Sequence, residues 1–109
     1  MWRVRYLPGA EDELDALPGA EQAAVRNAEE KLKALGPDLG YPHSSAVQEA
    51  QGLRELRPRQ GRSPWRALYR RYGEEFVIAA ICPEADQDPR GFKRGCAAAL
   101  ERLADVKEG

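Results

Sequence analysis

Seven arginines lie between Gly52 and Tyr72, where the only acidic residue is Glu55. They are Arg54, Arg57, Arg59, Arg62, Arg66, Arg70 and Arg71. This segment carries a net charge of +6, although the whole chain has a formal net charge of -1. A guanidinium group can hold a phosphate through two parallel hydrogen bonds and stays charged at any working pH, but it is a poor base. The arginines therefore predict a local anion-binding surface, with a polyphosphate as the expected target.

Two structural interpretations of the arginines stand beside this one. The segment could be a solvated edge hairpin whose charges prevent sheets from aggregating. Arg57 and Arg66 could instead form ion pairs with Glu55, which shares a strand face with Arg57. Trp65 and Tyr69 have a similar ambiguity, because they could stack on an unpaired RNA base or pack in the core.

Metal and redox chemistry have little support in this sequence. Cys82 and Cys96 form no CxxC motif, and His43 is the only histidine, so a typical zinc site cannot be assembled from Cys and His. We expect no metal and no cofactor. Cys82 at a strand end and Cys96 on a helix are expected to be buried free thiols, with redox or nucleophilic use as the alternative.

Length and composition predict one ordinary globular domain over residues 1–109. Hydrophobic residues make up 42% of the chain and charged residues 32%, as in soluble domains with a single core. No apolar run is long enough to span a bilayer, and the N-terminus has no apolar signal-peptide core. We therefore expect a cytoplasmic protein.

The first half of the chain predicts one strand and two helices. Residues 2–7 alternate apolar and basic side chains, which is typical of a strand, and Pro8-Gly9 is expected to end it. Apolar residues at helical spacing predict helices over 10–17 and 20–35, joined as a helical hairpin. Residues 36–51 show no clear periodicity and are expected to form a surface loop.

The second half predicts three strands and a final helix. The strand-like runs are 53–57, 65–72 and 76–81, and their short turns favour an antiparallel meander. The third run is apolar throughout, as expected of a central strand that is covered on both faces. After Pro89, apolar residues again follow helical spacing. The predicted fold class is α+β, with an N-terminal strand, a helical hairpin, a three-stranded antiparallel meander and a C-terminal helix.

This order of elements, with Gly52-Leu53-Arg54-Glu55-Leu56-Arg57 and Trp65-Arg66-Ala67-Leu68-Tyr69 before an apolar strand, resembles the RelE/HigB superfamily of bacterial toxins, in particular its phage-derived Gp49-like HigB branch. The resemblance implies a RelE-like toxin of a type II toxin-antitoxin system. Such a toxin is a metal-independent endoribonuclease that enters the ribosomal A site, cuts mRNA and inhibits translation. Its partners are the ribosome, the mRNA and a cognate helix-turn-helix antitoxin.

The resemblance also implies roles for individual residues. The ribose 2′-OH attacks the neighbouring phosphate, so the site must transfer protons and stabilise an anionic phosphorane. Arg57 and Arg66 match arginines of the family and are expected to stabilise the phosphorane. Tyr69 is the first candidate for proton transfer, followed by His43, Tyr41 and Glu84. The expected RNA-binding residues are Arg54, Arg59, Arg62, Arg70, Arg71 and Trp65. A nuclease built in this way needs the guanidinium groups to converge on one cleft.

One departure from the family pattern keeps two other functions open. Many members carry a Phe-x-Lys-Lys stretch after the last strand, whereas this chain has Cys82-Pro83-Glu84-Ala85-Asp86 there. The basic residues expected at this position are therefore replaced by acids. A non-enzymatic DNA gyrase inhibitor that resembles the ParE branch, and a catalytically silent RNA-binding or antitoxin-binding module, are the alternatives.

Overall fold

The computed structural model describes residues 1–106, and a five-stranded sheet lies between three helices. The strands are β1 (Arg3–Tyr6), β2 (Ser44–Ala46), β3 (Arg54–Leu56), β4 (Trp65–Tyr72) and β5 (Glu75–Pro83). The helices are α1 (Pro8–Asp15), α2 (Gly19–Leu35) and α3 (Pro89–Leu103). The strand order is β1-β5-β4-β3-β2, in which only β1 and β5 run parallel. The predicted α+β class is confirmed.

The start of α1 differs from the prediction because Pro8 begins the helix as well as ending the strand. Proline is well tolerated in the first helical turn, where its missing N–H would have no helical partner. The N–H of Glu11 donates to the carbonyl of Leu7 at 2.9 Å, which closes the first turn. The helix therefore covers residues 8–15 rather than 10–17, while α2 begins one residue before its predicted start.

The prediction of a loop over residues 36–51 is wrong at β2. Ser44–Ala46 pairs antiparallel with β3 and forms one edge of the sheet. Its sequence, Ser-Ser-Ala, has no apolar alternation, so the strand is defined by pairing with β3 rather than by local pattern. The meander of β3, β4 and β5 is confirmed, and β2 and β1 extend it on either side.

Each face of the sheet is covered by its own apolar core. The helical hairpin of α1 and α2 packs on one face, which we call the hairpin face, and α3 packs on the other, which we call the α3 face. On β4, Leu68 lies in the α3-face core, while Ala67 and Tyr69 lie in the hairpin-face core. This alternation follows from the two-residue period of a strand.

The central position of β5 confirms the interpretation of its apolar run. Every residue from Phe76 to Cys82 is buried, because β5 lies between β1 and β4 with helices on both faces. Cys82 and Cys96 are both buried and free, as expected. Burial raises the pKa of the Cys82 thiol to about 12 and also raises that of Cys96, so neither is an activated nucleophile.

β1 is shorter than β5, and beyond the end of β1 side chains bind the backbone groups of β5. Pairing with β1 ends at Tyr6 opposite Ile78. Beyond that point, Glu13 Oε1 of α1 accepts the N–H of Ile81 at 3.0 Å. Arg102 of α3 donates to the carbonyl of Ala79 at 2.8 Å and to Glu13 Oε1 at 2.9 Å.

Within residues 1–106, none of the helices has both the length and the apolar character that a membrane span requires.

Candidate functional site

The seven arginines do not converge on one cleft, so that expectation is wrong. Side chains alternate along a strand, which places Arg66 and Arg70 on the α3 face and Arg71 on the hairpin face. On β3, Arg54 lies on the hairpin face, opposite Tyr69. The remaining three follow β3: Arg57 directly after the strand, and Arg59 and Arg62 in the turn before β4.

Arg66 is buried and uses all of its hydrogen-bond donors inside the protein. Its exposure is 1%, and a guanidinium group has five N–H donors. They bind Glu55 Oε1 (2.9 Å), the carbonyls of Ser63 (2.8 Å), Trp65 (2.9 Å) and Gly61 (3.2 Å), and Glu84 Oε2 (3.1 Å). In this arrangement Arg66 offers no donor to a phosphate, and it joins β3, the turn and the end of β5. The ion pair with Glu55 that the sequence left open is present.

Arg57 lies beside Arg66 but keeps part of its guanidinium accessible. Its Nε donates to the carbonyl of Pro42 at 3.1 Å, and its Nη1 lies 3.7 Å from Glu55 Oε1. The guanidinium carbon is 4.9 Å from the centre of the Tyr41 ring, and Tyr41 is 76% exposed. The side chain of Arg57 is 19% exposed, and Nη2 has no hydrogen-bond partner within residues 1–106.

Backbone geometry around Arg57 explains how this position is maintained. The N–H of Arg57 donates to the carbonyl of His43 at 2.8 Å, so His43 lies opposite it at the sheet edge. Gly61 has φ +92°, and a Cβ there would lie 2.5 Å from Arg57 Nη2. The positive φ favours glycine at this position, and the absence of a side chain leaves the space that the Arg57 guanidinium occupies. Sequence reasoning named Tyr41 and His43 but could not place them beside Arg57.

Tyr69 lies on the opposite face of the sheet from Arg57 and Arg66. It is 2% exposed and packs edge-on against Phe76 with ring centres 5.8 Å apart. Its hydroxyl is hydrogen-bonded to Ser44 Oγ at 2.5 Å. Core packing of at least one aromatic residue of β4 is thus confirmed. Trp65 is half-buried against the same core.

Arg59 connects the turn before β4 to the start of α2. Its Nη1 lies 2.6 Å from Glu21 Oε2, and its Nη2 donates to the carbonyl of Ala20 at 3.2 Å. Glu21 also accepts a hydrogen bond from Ser63 Oγ at 2.8 Å. The hydrogen bonds from Arg59 and Ser63 lower the pKa of the Glu21 carboxyl. Arg59 is therefore occupied by a structural contact.

Four of the seven arginines have no carboxylate partner among the residues that the structure describes. They are Arg54, Arg62, Arg70 and Arg71. Arg62 donates through Nε to the carbonyl of Arg59, and Arg70 through Nη2 to that of Gln51. These four cations, together with the free Nη2 of Arg57, are the part of the segment that is available to an anionic partner.

Residues 12–82 match the family model described as Phage derived protein Gp49-like. The chain belongs to this Gp49-like family. The match covers β3, β4 and most of β5, and it includes Arg57, Arg66 and Tyr69. It ends before Glu84 and α3. The resemblance to the Gp49-like branch is therefore confirmed. No curated protein sequence matches this chain.

Solved structures of toxin-antitoxin complexes share the fold of this Gp49-like protein. The RelBE2 complex from Mycobacterium tuberculosis contains a chain with 26% identity and a TM-score of 0.58, covering 76% of this chain and 98% of that one. The archaeal RelE-RelB complex from Pyrococcus horikoshii OT3 gives 19% identity and a TM-score of 0.54, covering 75% and 93%. A chromosomal ParDE system from P. aeruginosa gives 30% identity but a TM-score of 0.47, covering 74% and 94%. The RelE-like fold is confirmed.

Ser44 is a residue of the Gp49-like protein that sequence reasoning did not identify. It is fully buried, and its hydroxyl binds both Tyr69 and Nε of Arg54, the latter at 3.0 Å. It belongs to β2, which has no recognisable strand pattern. The signal that would have identified Ser44 is its pairing with Leu56 of β3, which is a tertiary property.

Proposed function

We propose that this protein is the toxin of a toxin-antitoxin pair and that it acts in the cytoplasm as a ribosome-dependent mRNA endonuclease. Membership of the Gp49-like family supports a phage-derived origin. The likeness to a chain of the RelBE2 toxin-antitoxin complex, which extends over 98% of that chain, supports the toxin role and an antitoxin partner. Cleavage of mRNA on the ribosome is the activity that the RelE/HigB resemblance implies.

Because the seven arginines do not converge on one cleft, a single observation carries the nuclease proposal, which is the position of Arg57. Its guanidinium is fixed by Pro42 and Tyr41, yet Nη2 remains without a protein partner. A rigid cation with a free donor can stabilise the charge that develops on a phosphorane without reorganisation. The exposed ring of Tyr41 supplies a face on which an unpaired RNA base can stack.

The proposed roles of the other residues follow from their contacts. Arg66 is a positioning residue, because it holds Glu55 and the turn around Arg57 rather than reaching solvent. His43 and Tyr41 replace Tyr69 as the first candidates for proton transfer, since they flank Arg57 whereas Tyr69 lies beneath the other face. Imidazole is suited to proton transfer near neutral pH.

The test is to induce the protein in bacterial cells and to map the 5′ ends of cellular mRNA. The wild type is expected to arrest growth and to produce new 5′ ends within translated codons. Arg57→Ala should lower the cleavage rate by about 10²–10³-fold while costing at most about 1 kcal/mol of stability. Arg94→Ala, which removes an exposed arginine of α3, is the control and should cleave like the wild type. Intact transcripts during growth arrest would contradict the endonuclease but not the toxin.

A second candidate is a toxin that binds its target without cutting it, such as a DNA gyrase inhibitor. The complete internal use of the Arg66 donors favours it, because Arg57 is then the only one of the two expected phosphorane-stabilising arginines that can contact a phosphate. A supercoiling assay with purified gyrase separates the two candidates. Inhibition of supercoiling with no new mRNA ends would establish the second and exclude the first.

The antitoxin partner has a separate test. If the neighbouring reading frame encodes a small helix-turn-helix protein, its co-expression is expected to restore growth and to co-purify with this chain. Growth that is unaffected by expression of this chain alone would contradict the toxin proposal itself. That outcome would instead support a silent binding module.

A further inference from the structure

A second positively charged site lies on the hairpin face of the sheet, away from Arg57. It is a cavity of about 320 Å³ to which β3 contributes Arg54, β4 contributes Tyr69 and Arg71, and β5 contributes Phe76. The segment after α2 closes the other side with Leu39 and neighbouring residues. The lining contains two arginines and no acidic residue. We call it the Arg54–Arg71 pocket.

The two arginines of this pocket are held in position without being neutralised. Nε of Arg54 donates to Ser44 Oγ at 3.0 Å, and Nε of Arg71 donates to the carbonyl of Gly73 at 2.7 Å. The guanidinium of Arg71 also stacks on the ring of Trp2 at 5.0 Å. Within residues 1–106 neither arginine has a carboxylate partner, and the terminal Nη groups of both have no hydrogen-bond acceptor. Both guanidinium groups therefore keep their terminal donors available.

Tyr69 lines the pocket and shares a buried hydrogen bond with Ser44, which lies behind the wall. Ser44 and Tyr69 are 0% and 2% exposed, and their hydroxyl oxygens are 2.5 Å apart. Two hydroxyl groups carry two hydrogens, but only one of these can lie between the two oxygens. In the described part of the chain no acceptor is present for the second, because Arg54 is itself a donor to Ser44. When Ser44 donates to Tyr69, the hydroxyl of Tyr69, which lines the pocket, is left to donate to an anionic acceptor there.

We infer that the Arg54–Arg71 pocket binds the phosphomonoester group of a nucleotide, either a nucleoside monophosphate or the 5′-phosphate end of an RNA. A terminal phosphate carries close to two negative charges at neutral pH, which matches two guanidinium groups. Leu39 and Phe76 provide an apolar wall for the base. A volume of about 320 Å³ is at the lower end of small-molecule sites, which suits one nucleotide unit. This site is independent of the proposed nuclease site, since the sheet separates them.

Isothermal titration calorimetry of the full-length protein with 5′-AMP, adenosine and inorganic phosphate tests this inference. AMP is expected to bind at one site, and adenosine and phosphate at least tenfold more weakly. Arg71→Gln should weaken AMP binding at least tenfold. Arg62→Gln is the matched control, because Arg62 also lacks a carboxylate partner and lies in the turn before β4, at the other end of the strand from Arg71. Tyr69→Phe, which keeps the ring and removes the hydroxyl, should weaken AMP binding severalfold.

Several results would contradict nucleotide binding by the Arg54–Arg71 pocket. Absence of AMP binding by a wild type that unfolds cooperatively would exclude the site, and equal losses in Arg62→Gln and Arg71→Gln would show nonspecific attraction. Inorganic phosphate binding as tightly as AMP would remove the nucleotide assignment. If a trinucleotide with a 5′-phosphate binds more tightly than AMP, the ligand is the 5′ end of an RNA. If it binds less tightly than AMP, the ligand is a free nucleotide. Equal binding of the trinucleotide without that phosphate would overturn the site.

Discussion

At the scale of single residues, Arg57 and Arg66 show how neighbouring arginines of one motif take different roles. Both contact Glu55, at 3.7 Å and 2.9 Å. Arg66 makes five hydrogen bonds, two of them to carboxylates, so its charge is compensated inside the protein. Arg57 is partly exposed and has a free donor. The first therefore stabilises the local structure, while the second is available to a ligand.

Replacing Arg66 is expected to affect folding more than any direct contact with RNA. Arg66→Ala leaves Glu55, Glu84 and several carbonyls without their partner, and removing one member of a buried ion pair costs about 3–5 kcal/mol. Urea unfolding measures this loss. Arg57→Ala is the comparison and should cost about 1 kcal/mol or less, since its ion pair is long and partly exposed. Equal stability of Arg66→Ala and wild type would show that the network contributes nothing.

The sequence alone identifies the arginines, but it does not show how they divide between the two faces of the sheet or which of them are neutralised. Their number and the Leu-Arg-Glu-Leu-Arg motif were sufficient to predict an anion-binding segment. Which arginines are neutralised depends on Glu21 and Glu84, which are distant in sequence and reach the segment only through packing. The sequence pattern therefore does not show whether the arginines share a cleft, or that Tyr69 lies across the sheet from Arg57 and Arg66.

At the scale of secondary-structure elements, the helices are fixed by side chains that bind strands and turns. Glu13 and Arg102 join α1 and α3 through the unpaired part of β5. Gly9 makes room for this contact, because a Cβ there would lie 2.5 Å from the Arg102 guanidinium carbon. Arg59 and Glu21 join α2 to the turn before β4 in the same manner.

Removal of Arg102 is expected to loosen α3. Arg102→Ala deprives the Ala79 carbonyl and Glu13 of charged hydrogen bonds, which are worth about 2 kcal/mol in total. The measurement is urea unfolding, with amide hydrogen exchange to locate the change at α3 and β5. Arg94→Ala on the same helix is the control and should change stability by less than about 0.5 kcal/mol. An equal effect of both substitutions would contradict this role of Arg102.

The contact between Arg59 and Glu21 is expected to be sensitive to acid. Because the pKa of Glu21 is lowered in the folded protein, its stabilising effect is present above the ordinary glutamate pKa and is lost as the pH falls through the lowered pKa. Carbon-detected NMR titration of the Glu21 carboxyl measures this pKa directly. Arg59→Ala should raise it toward the ordinary value. Ser63→Ala is expected to raise it less, because the bond from Arg59 is the larger cause.

The elements themselves were largely predictable, with one instructive exception. The three helices and β5 carry apolar residues at the spacing that their burial requires, so the pattern was sufficient. β2 is a three-residue edge strand without such a pattern, and its existence follows from the hydrogen bonds that β3 offers. It is nevertheless the element that brings Ser44 to Arg54 and His43 to Arg57.

At the scale of the whole molecule, a chain with net charge -1 still presents a cationic surface, because carboxylates neutralise only some of the arginines in residues 52–72. Arg57, Arg59 and Arg66 contact carboxylates, whereas the other four arginines of the segment have none within residues 1–106. The effective positive field is therefore smaller than the sequence count of seven suggests. It is also divided between the two faces of the sheet, which limits any one partner to part of it.

The salt dependence of RNA binding should reflect the arginines that remain free to contact phosphates, not all seven. Each phosphate contact with single-stranded RNA contributes about 0.7 to the slope of log K against log salt. The double substitution Arg62→Ala and Arg70→Ala is expected to reduce this slope by about 1.4. Fluorescence anisotropy with labelled RNA at several salt concentrations measures it. Arg59→Ala should leave the slope unchanged, and a decrease there would contradict the assignment of Arg59 to Glu21.

The two tryptophans lie near opposite ends of β4. Trp2 packs against Phe76 with ring centres 5.6 Å apart and carries the guanidinium of Arg71, whereas Trp65 opens β4 next to the turn that holds Arg57. Ultraviolet emission from single-tryptophan versions of the protein would thus monitor each end of the strand separately. No dye or tag is needed to observe which end responds first to an added ligand.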